Sequence, residues 1–205
     1  MNLNAERKPA TLIFNPFVLT AGIQALLPGL GAILLAGFLG FFSKTHFDGV
    51  LDIHAGAPAP LWVFLSEGLI DWLCLALVLL LAGRILSKTR FRIIDVFGTQ
   101  ALARWPTILT TLLFMPAPVQ RFNSYLAQQI AKGGKPDFAS ADAALFFAAI
   151  IVSFALLCWT VMLMYKAYSV SCNIKGARAI ISFIIGVIIA EVLSKVALSG
   201  VLKLL

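Results

Sequence analysis

The chain has 205 residues, of which 60% are apolar and only 12% are charged, and its mean hydropathy is +0.96. Soluble domains are typically about half apolar and about a quarter charged, so this composition excludes an ordinary water-soluble globule. The net charge of +7 does not indicate nucleic acid, because the basic residues stand in short loops, where membrane topology and anionic lipid explain them better. We therefore predict an integral membrane protein whose partner is the lipid bilayer.

The chain contains five apolar stretches that are long enough to cross a bilayer as helices. A spanning helix needs about 20 residues, because it rises about 1.5 Å per residue through a hydrocarbon core of about 30 Å. Lipid offers backbone groups no hydrogen-bond partner, and the sequence lacks the alternation that would build a barrel. We predict an all-α fold, a polytopic membrane helical bundle with five transmembrane helices at roughly 17–42, 61–86, 93–115, 142–168 and 177–200.

Basic residues near the helix ends predict how the bundle is oriented. Nine of them fall on the side of the N-terminus and five on the other side. Cytoplasmic loops are the richer in Lys and Arg, so we predict an N-inside, C-outside protein of the bacterial inner (plasma) membrane. In this interpretation residues 1–16 form a short cytoplasmic segment, and 17–205 form one membrane domain with outer loops at 43–60 and 116–141.

Both histidines of the chain lie in the first outer loop, SKTHFDGVLDIHAGAP, with two aspartates between them. In an extended hairpin around Gly49 these side chains would lie close together, and imidazole nitrogens with carboxylate oxygens suit zinc or another divalent transition metal. The candidate metal ligands are His46, Asp48, Asp52 and His54. Alternatively, the aspartates only shape the turns of a polar hairpin, and the protein needs no cofactor.

Four ionisable side chains fall well inside the predicted spans, namely Glu67, Asp71, Arg104 and Glu191. Each costs at least a few kcal/mol where it faces lipid, so we expect them to face the bundle interior. Glu67 and Asp71 share one helix face and repel when both are ionised, whereas a guanidinium can bond two carboxylates at once. We therefore predict Arg104 as their counter-ion, and a separate i,i+4 pair between Glu191 and Lys195. This cluster is interpreted as a structural polar lock, with a transport or proton-relay site and an enzyme active site as alternatives.

The second outer loop contains a helical pattern of its own. Phe122, Tyr125, Leu126 and Ile130 recur at helical spacing, between proline breaks and a Gly-Gly-Lys-Pro turn. This pattern predicts a short amphipathic helix that lies on the outer surface. An ordinary connecting loop is the alternative.

Several short motifs resemble those of one membrane family. IFNPF at 13–17 looks like an Asn-Pro-aromatic entry to a first helix, and ALARWP at 101–106 looks like part of a proline-bearing third helix. Trp159, followed by NIKGARAI at 173–180, looks like the basic entry to a last helix. Together they resemble the Yip-domain family, the Rab-interacting five-helix membrane proteins, and more closely its bacterial members. The resemblance implies a Yip-like five-helix membrane fold over most of the chain.

The sequence lacks the established catalytic motifs HExxH, GxSxG, P-loop and GxGxxG. We therefore expect a non-enzymatic membrane protein that acts as a scaffold or in membrane organisation. Small residues at Ala32, Ala36 and Gly40 permit close helix contacts, either in a homo-oligomer or with a membrane-protein partner, or within the chain itself. The alternatives are an ion or small-solute transporter and a metal-dependent membrane enzyme. The transporter would use Glu67, Asp71, Arg104 and Glu191, and the enzyme would use the loop from His46 to His54.

Overall fold

Helices make up nearly all of the secondary structure in the computed structural model, which describes residues 13–203. In chain order they are α1 (Ile23–Ser43), α2 (Leu61–Leu86), α3 (Ile93–Leu102), α4 (Thr107–Phe114), α5 (Ala117–Ala131), α6 (Ala141–Ser171) and α7 (Gly176–Lys203). A 3₁₀ turn at Pro16–Val18 precedes α1. A small antiparallel hairpin of β1 (Thr45–His46) and β2 (His54–Ala55) joins α1 to α2.

Four of these helices, α1, α2, α6 and α7, are long and apolar enough to cross a bilayer. Their outward faces carry large apolar side chains; Ile151 on α6 is 71% exposed and Val196 on α7 is 63% exposed. An exposed apolar surface of this extent marks contact with lipid or with another membrane protein. The helical fold class is therefore confirmed, and the chain has the helices of an integral membrane protein.

The predicted third span is not one continuous helix. Residues 93–115 form α3 and α4, which are separated by a tighter turn at 103–106. Pro106 causes the break, because proline has no N–H to donate and its ring clashes with the carbonyl four residues earlier. The Leu102 carbonyl accepts instead from the amide of Trp105, at 3.2 Å. The prediction of a single helix over 93–115 is therefore wrong. Neither half is long enough to cross a bilayer alone.

One end of the bundle is formed by the connections that follow α2 and α6. The Asn173 side chain, after α6, donates to the Thr89 hydroxyl, after α2, at 3.3 Å. We call this end, with its loops 87–92 and 172–175, the basic end, because its loops carry several Lys and Arg residues.

The opposite end carries residues 44–60 and 115–140, and we call it the loop end. Here Arg121 on α5 pairs with Asp142 at the start of α6, with 2.9 Å between Nε and Oδ2. The helix α6 therefore begins at the loop end, whereas α2 finishes at the basic end. It follows that α3 and α4 carry the chain from the basic end to the loop end.

The small residues of α1 are used for packing within the chain. A Cβ added at Gly29 would overlap the backbone of Ala101 and Leu102 on α3. A Cβ at Gly37 would lie 2.7 Å from the Phe64 carbonyl oxygen on α2. Ala32, Ala36 and Gly40 are also buried. Close contact of α1 with α2 and α3 therefore explains this stripe, as the intramolecular alternative expected.

The amphipathic helix expected in the second outer loop is present as α5. Its buried side chains, Val119 and Phe122, pack against the start of α6, where the Phe122 and Phe146 ring centroids are 5.3 Å apart. Ile130, by contrast, is 68% exposed, so the predicted apolar face does not extend to the end of the helix.

We predict that Gly29→Ala destabilises the protein, by about 1–3 kcal/mol, the usual cost of overpacking. The added methyl group would meet backbone atoms of α3, which cannot rotate away. The matched control is Gly31→Ala, because a Cβ at Gly31 meets nothing within 4 Å. The melting temperature in detergent should be lower for Gly29→Ala, and it should be unchanged or higher for Gly31→Ala. An equal effect of the two changes would contradict the close approach of α1 to α3.

Candidate polar site at the loop end

The hairpin brings both histidines together above α2. In its register His46 lies opposite His54, and the two rings are stacked with centroids 5.6 Å apart. The other neighbour of the His46 ring is Phe64, at 4.3 Å. Gly56 allows this packing, because a Cβ there would lie 2.6 Å from the His46 ring.

Glu67 holds this hairpin to α2. One carboxylate oxygen lies 2.8 Å from His46 Nδ1, and the other accepts from the Phe47 backbone amide at 3.0 Å. The other ring nitrogen of His46, Nε2, lies 2.8 Å from the Ala57 carbonyl oxygen. Both ring nitrogens thus face acceptors, and only a protonated imidazole can donate to both. Glu67, which is 3% exposed, is therefore satisfied by the loop and not by Arg104.

Glu191 holds the same loop to α7. Its Oε2 accepts from the Leu51 backbone amide at 2.9 Å, and its Oε1 lies 3.2 Å from Lys195 Nζ. Lys195 also donates to Asp52 at 2.7 Å. Gly49 packs directly on this pair, since a Cβ there would overlap the Glu191 carboxylate. The Glu191–Lys195 pair is thus formed as predicted, but it lies at the edge of the bundle, where Lys195 is exposed.

Asp71 and Arg104 lie deeper and are not joined by a direct bond. Asp71 is fully buried and Arg104 is 3% exposed. Neither Asp71 oxygen has a hydrogen-bond partner among the described residues, and neither do Nε and Nη2 of Arg104. The nearby Ser194 hydroxyl donates to the Glu191 carbonyl, at 3.1 Å.

The predicted ion pairs of Arg104 with Glu67 and Asp71 are therefore absent from the described part of the chain. Glu67 does not pair with Arg104 because both of its carboxylate oxygens are already bonded, one to the His46 ring and the other to the Phe47 amide. The Asp71 carboxylate and the Arg104 guanidinium lie near each other, but they do not form a direct bond. A cavity of about 10 Å³ borders Arg104, which is close to the least volume that accommodates one water molecule.

Three of the four candidate metal ligands come together. His54 Nδ1 lies 3.3 Å from Asp48 Oδ1 and 3.7 Å from Asp52 Oδ1, and one ligand atom of each lies within 4.8 Å of the others. Tetrahedral zinc with bonds of about 2.1 Å holds its ligand atoms about 3.4 Å apart. Lys195 fixes the second Asp52 oxygen and leaves the first to face His54. These three side chains could therefore hold a divalent metal such as zinc.

His46 does not belong to that set, contrary to the four-ligand prediction. Both of its nitrogens are engaged, by Glu67 and by the Ala57 carbonyl. It instead lines a pocket of about 500 Å³ beside the hairpin. This pocket is open at the loop end and is also lined by Asp48, His54, Trp62 and Glu67.

Sequence reasoning missed the groups that satisfy the two glutamates. These groups are the backbone amides of Phe47 and Leu51, and no side-chain pattern marks a backbone donor. The available signal was indirect: an acidic residue near the predicted end of a span can reach the loop that follows or precedes it.

Comparison with protein-family models, with curated proteins and with solved structures gives no match to this chain.

We predict that His46 makes the stability of the protein depend on pH. Burial acts to lower the pKa of His46, but its bonds to Glu67 and the Ala57 carbonyl, with the nearby charges of Glu67 and Asp48, raise it above 6.5. Stabilisation by the protonated ring is then complete below about pH 6.5 and is lost as the pH rises through the pKa of the folded state.

Melting temperatures in EDTA between pH 5.5 and 8.5 should therefore fall with increasing pH for the wild type and change less for His46→Gln. His54 also faces this ring, so His54→Gln is the control and should keep most of the slope. A His46→Gln protein with the full wild-type slope would contradict the assignment.

We predict that zinc stabilises the protein through Asp48, Asp52 and His54. A ligand that binds only the folded state adds about 2.7 kcal/mol at a hundredfold excess over its dissociation constant. The melting temperature of the wild type should rise when zinc is added. EDTA should reverse this rise, and His54→Ala should not show it. His46→Ala should retain the zinc-dependent rise. The absence of any rise in the wild type would leave these residues as an ion-pair network with Lys195.

Proposed function

We propose that this chain is a non-enzymatic integral membrane protein whose bundle acts as a scaffold or in membrane organisation. The observation that supports this role is that two glutamates at the loop end hold a connecting loop in place. Glu67 on α2 and Glu191 on α7 each accept a backbone amide of the loop 44–60. Charged side chains inside a membrane helix are costly, and here the two glutamates fix one connection onto two long helices. This arrangement favours a rigid body with a defined surface.

We further propose five spans, with the broken helix α3–α4 as the third. Residues 93–114 would extend about 33 Å if helical throughout, enough for a bilayer core. Irregular backbone at membrane depth is tolerated where protein surrounds it, and Ala103 in the break is fully buried. The Thr107 and Thr111 hydroxyls donate to carbonyls within the same segment. These features support a crossing inside the bundle.

The proposed orientation is N-inside and C-outside, in a bacterial inner membrane. The excess of Lys and Arg at the basic end supports a cytoplasmic position for that end. Arg7 and Lys8, which add to the predicted excess, and most of the segment 1–16 lie outside the described residues.

A Yip-like assignment remains part of this proposal and rests on the short motifs. In the fold, ALARWP lies at the break between α3 and α4, and NIKGARAI forms the turn from α6 into α7. Both motifs therefore lie at connections between consecutive helices.

Cysteine labelling tests the topology, in a background in which Cys74, Cys158 and Cys172 are replaced by alanine. We expect a membrane-impermeant maleimide to label His54→Cys and Gly134→Cys from outside intact cells, because both lie at the loop end. Lys175→Cys, at the basic end, should react only after the membrane is opened. Labelling of position 175 from outside would reverse the orientation, and labelling of only one of the first two would exclude the five-span path.

Photo-crosslinking tests the scaffold role. A crosslinking amino acid at Ile151 or Ile188, both on exposed apolar faces, should give a defined protein adduct in membranes, either with a second copy or with one partner. The same group at Leu163, which is fully buried, is the control and should give none. Adducts with lipid alone at both exposed positions would contradict a scaffold that works through these faces.

A second candidate function, ion or proton transport, is favoured by Asp71 and Arg104. Burial of two charges without direct contact is costly unless water or a proton compensates. Groups of this kind inside a membrane commonly mark proton or ion pathways. The pocket beside the hairpin reaches as far as Glu67, one helical turn from Asp71.

Proteoliposomes filled with a pH-sensitive dye separate the two functions. If Asp71 relays protons, a potassium diffusion potential should drive acidification in the wild type and not in Asp71→Asn. Asp137→Asn is the matched control, because Asp137 is exposed on the loop end. Wild-type vesicles that behave as empty vesicles would exclude proton transport and leave the scaffold proposal standing.

A further inference from the structure

The outer surface of the bundle carries an apolar groove between α2 and α7. Its volume is about 430 Å³. One wall is the face of α2 from Val78 to Leu86, and the other is the face of α7 from Ser182 to Leu193. Ser182 offers no free donor, since its hydroxyl donates to the Arg178 carbonyl at 2.7 Å and lies 2.9 Å from the Tyr168 hydroxyl. The groove wall is therefore suited to a hydrocarbon chain.

The groove covers one half of the bilayer depth. Ser182 and Leu193 mark its two ends on α7, and the rise between them is about 16 Å. One leaflet contributes about 15 Å of the hydrocarbon core. Ser182 and Leu86 lie toward the basic end, so the groove starts on that side of the bundle, and at Leu193 it reaches the level of Glu191. Gly186 forms part of its floor, where a Cβ would approach Leu79 Cδ2 to 2.8 Å.

The rim of the groove at the basic end is positively charged. Arg178 stands one helical turn before Ser182 and so continues the same face of α7, while Lys88 follows Leu86 at the end of α2. Lys175 is close in sequence, and all three side chains are exposed. Among the described residues, Asp95 is the one acidic residue at this end, and Arg92 Nη2 lies 2.8 Å from its Oδ1. The rim cations thus have no carboxylate partner among the described residues.

We propose that this groove binds an anionic phospholipid of the leaflet at the basic end. One acyl chain lies between α2 and α7, and the phosphate of the headgroup contacts Arg178 and Lys88. A guanidinium bonds phosphate through two parallel N–H donors, and basic residues between membrane helices select anionic headgroups. The site does not depend on the scaffold role, because it requires only that the helices lie in a bilayer.

The test measures lipid retained by the purified protein in detergent, by native mass spectrometry. Phosphatidylglycerol and phosphatidylcholine with identical acyl chains are offered in equal amounts. The wild type should retain phosphatidylglycerol in preference. Arg178→Gln and Lys88→Gln should each weaken this retention about fivefold, the factor that corresponds to about 1 kcal/mol per basic residue. Lys132→Gln removes an exposed charge at the loop end and should change nothing.

Two further variants fill the groove itself. Ala82→Phe and Ile185→Trp should reduce phosphatidylglycerol retention, whereas Ala155→Phe, on the exposed face of α6, should not. Using two filling variants keeps the test valid if one of them fails to fold. Equal retention of the two lipids by the wild type would overturn the proposal. So would an equal loss with Lys132→Gln, or full retention by a folded filling variant.

Discussion

The bundle depends on two carboxylates that accept backbone amides where the long helices meet the first connecting loop. A charge-assisted hydrogen bond is roughly twice as strong as a neutral one, and each of these bonds fixes a different point of the same loop. Phe47 is held by Glu67 on α2, and Leu51 is held by Glu191 on α7. The loop thereby links two helices that are far apart in the chain. The stacked histidines and the Asp48–Asp52–His54 cluster lie in the loop that these two bonds hold.

The two acidic residues of α2 show how position decides the role of a charge. Glu67 lies within reach of the loop and has both oxygens satisfied. Asp71, one turn further along, lies beyond the loop and faces Arg104 without touching it. The first carboxylate is part of the architecture, because its charge is met by fixed donors. The second has no hydrogen-bond donor among the described residues, which is why the transport alternative concerns this residue.

Hydropathy was sufficient to predict the four long helices and their apolar outward faces, because a bilayer sets both length and composition. The spacing of Phe122 and Tyr125 was sufficient to predict α5. The Glu191–Lys195 pair followed from helix periodicity alone. The backbone partners of Glu67 and Glu191 could not be predicted, since the amides of Phe47 and Leu51 that they accept leave no mark in the sequence. The separation of His46 from the other candidate ligands depended on the same unmarked bonds.

The break between α3 and α4 has a consequence for how the protein enters the membrane. A segment with an arginine near its centre partitions poorly by itself, at a cost of about 2.5–3.5 kcal/mol for that residue. Its two halves are also too short to hold a position across the lipid alone. Stable residence requires the walls supplied by α1, α2 and α6, and α6 ends only at Ser171. In the proposed five-span topology, synthesis would therefore have to pass Ser171 before α3 and α4 are enclosed by all three neighbouring helices.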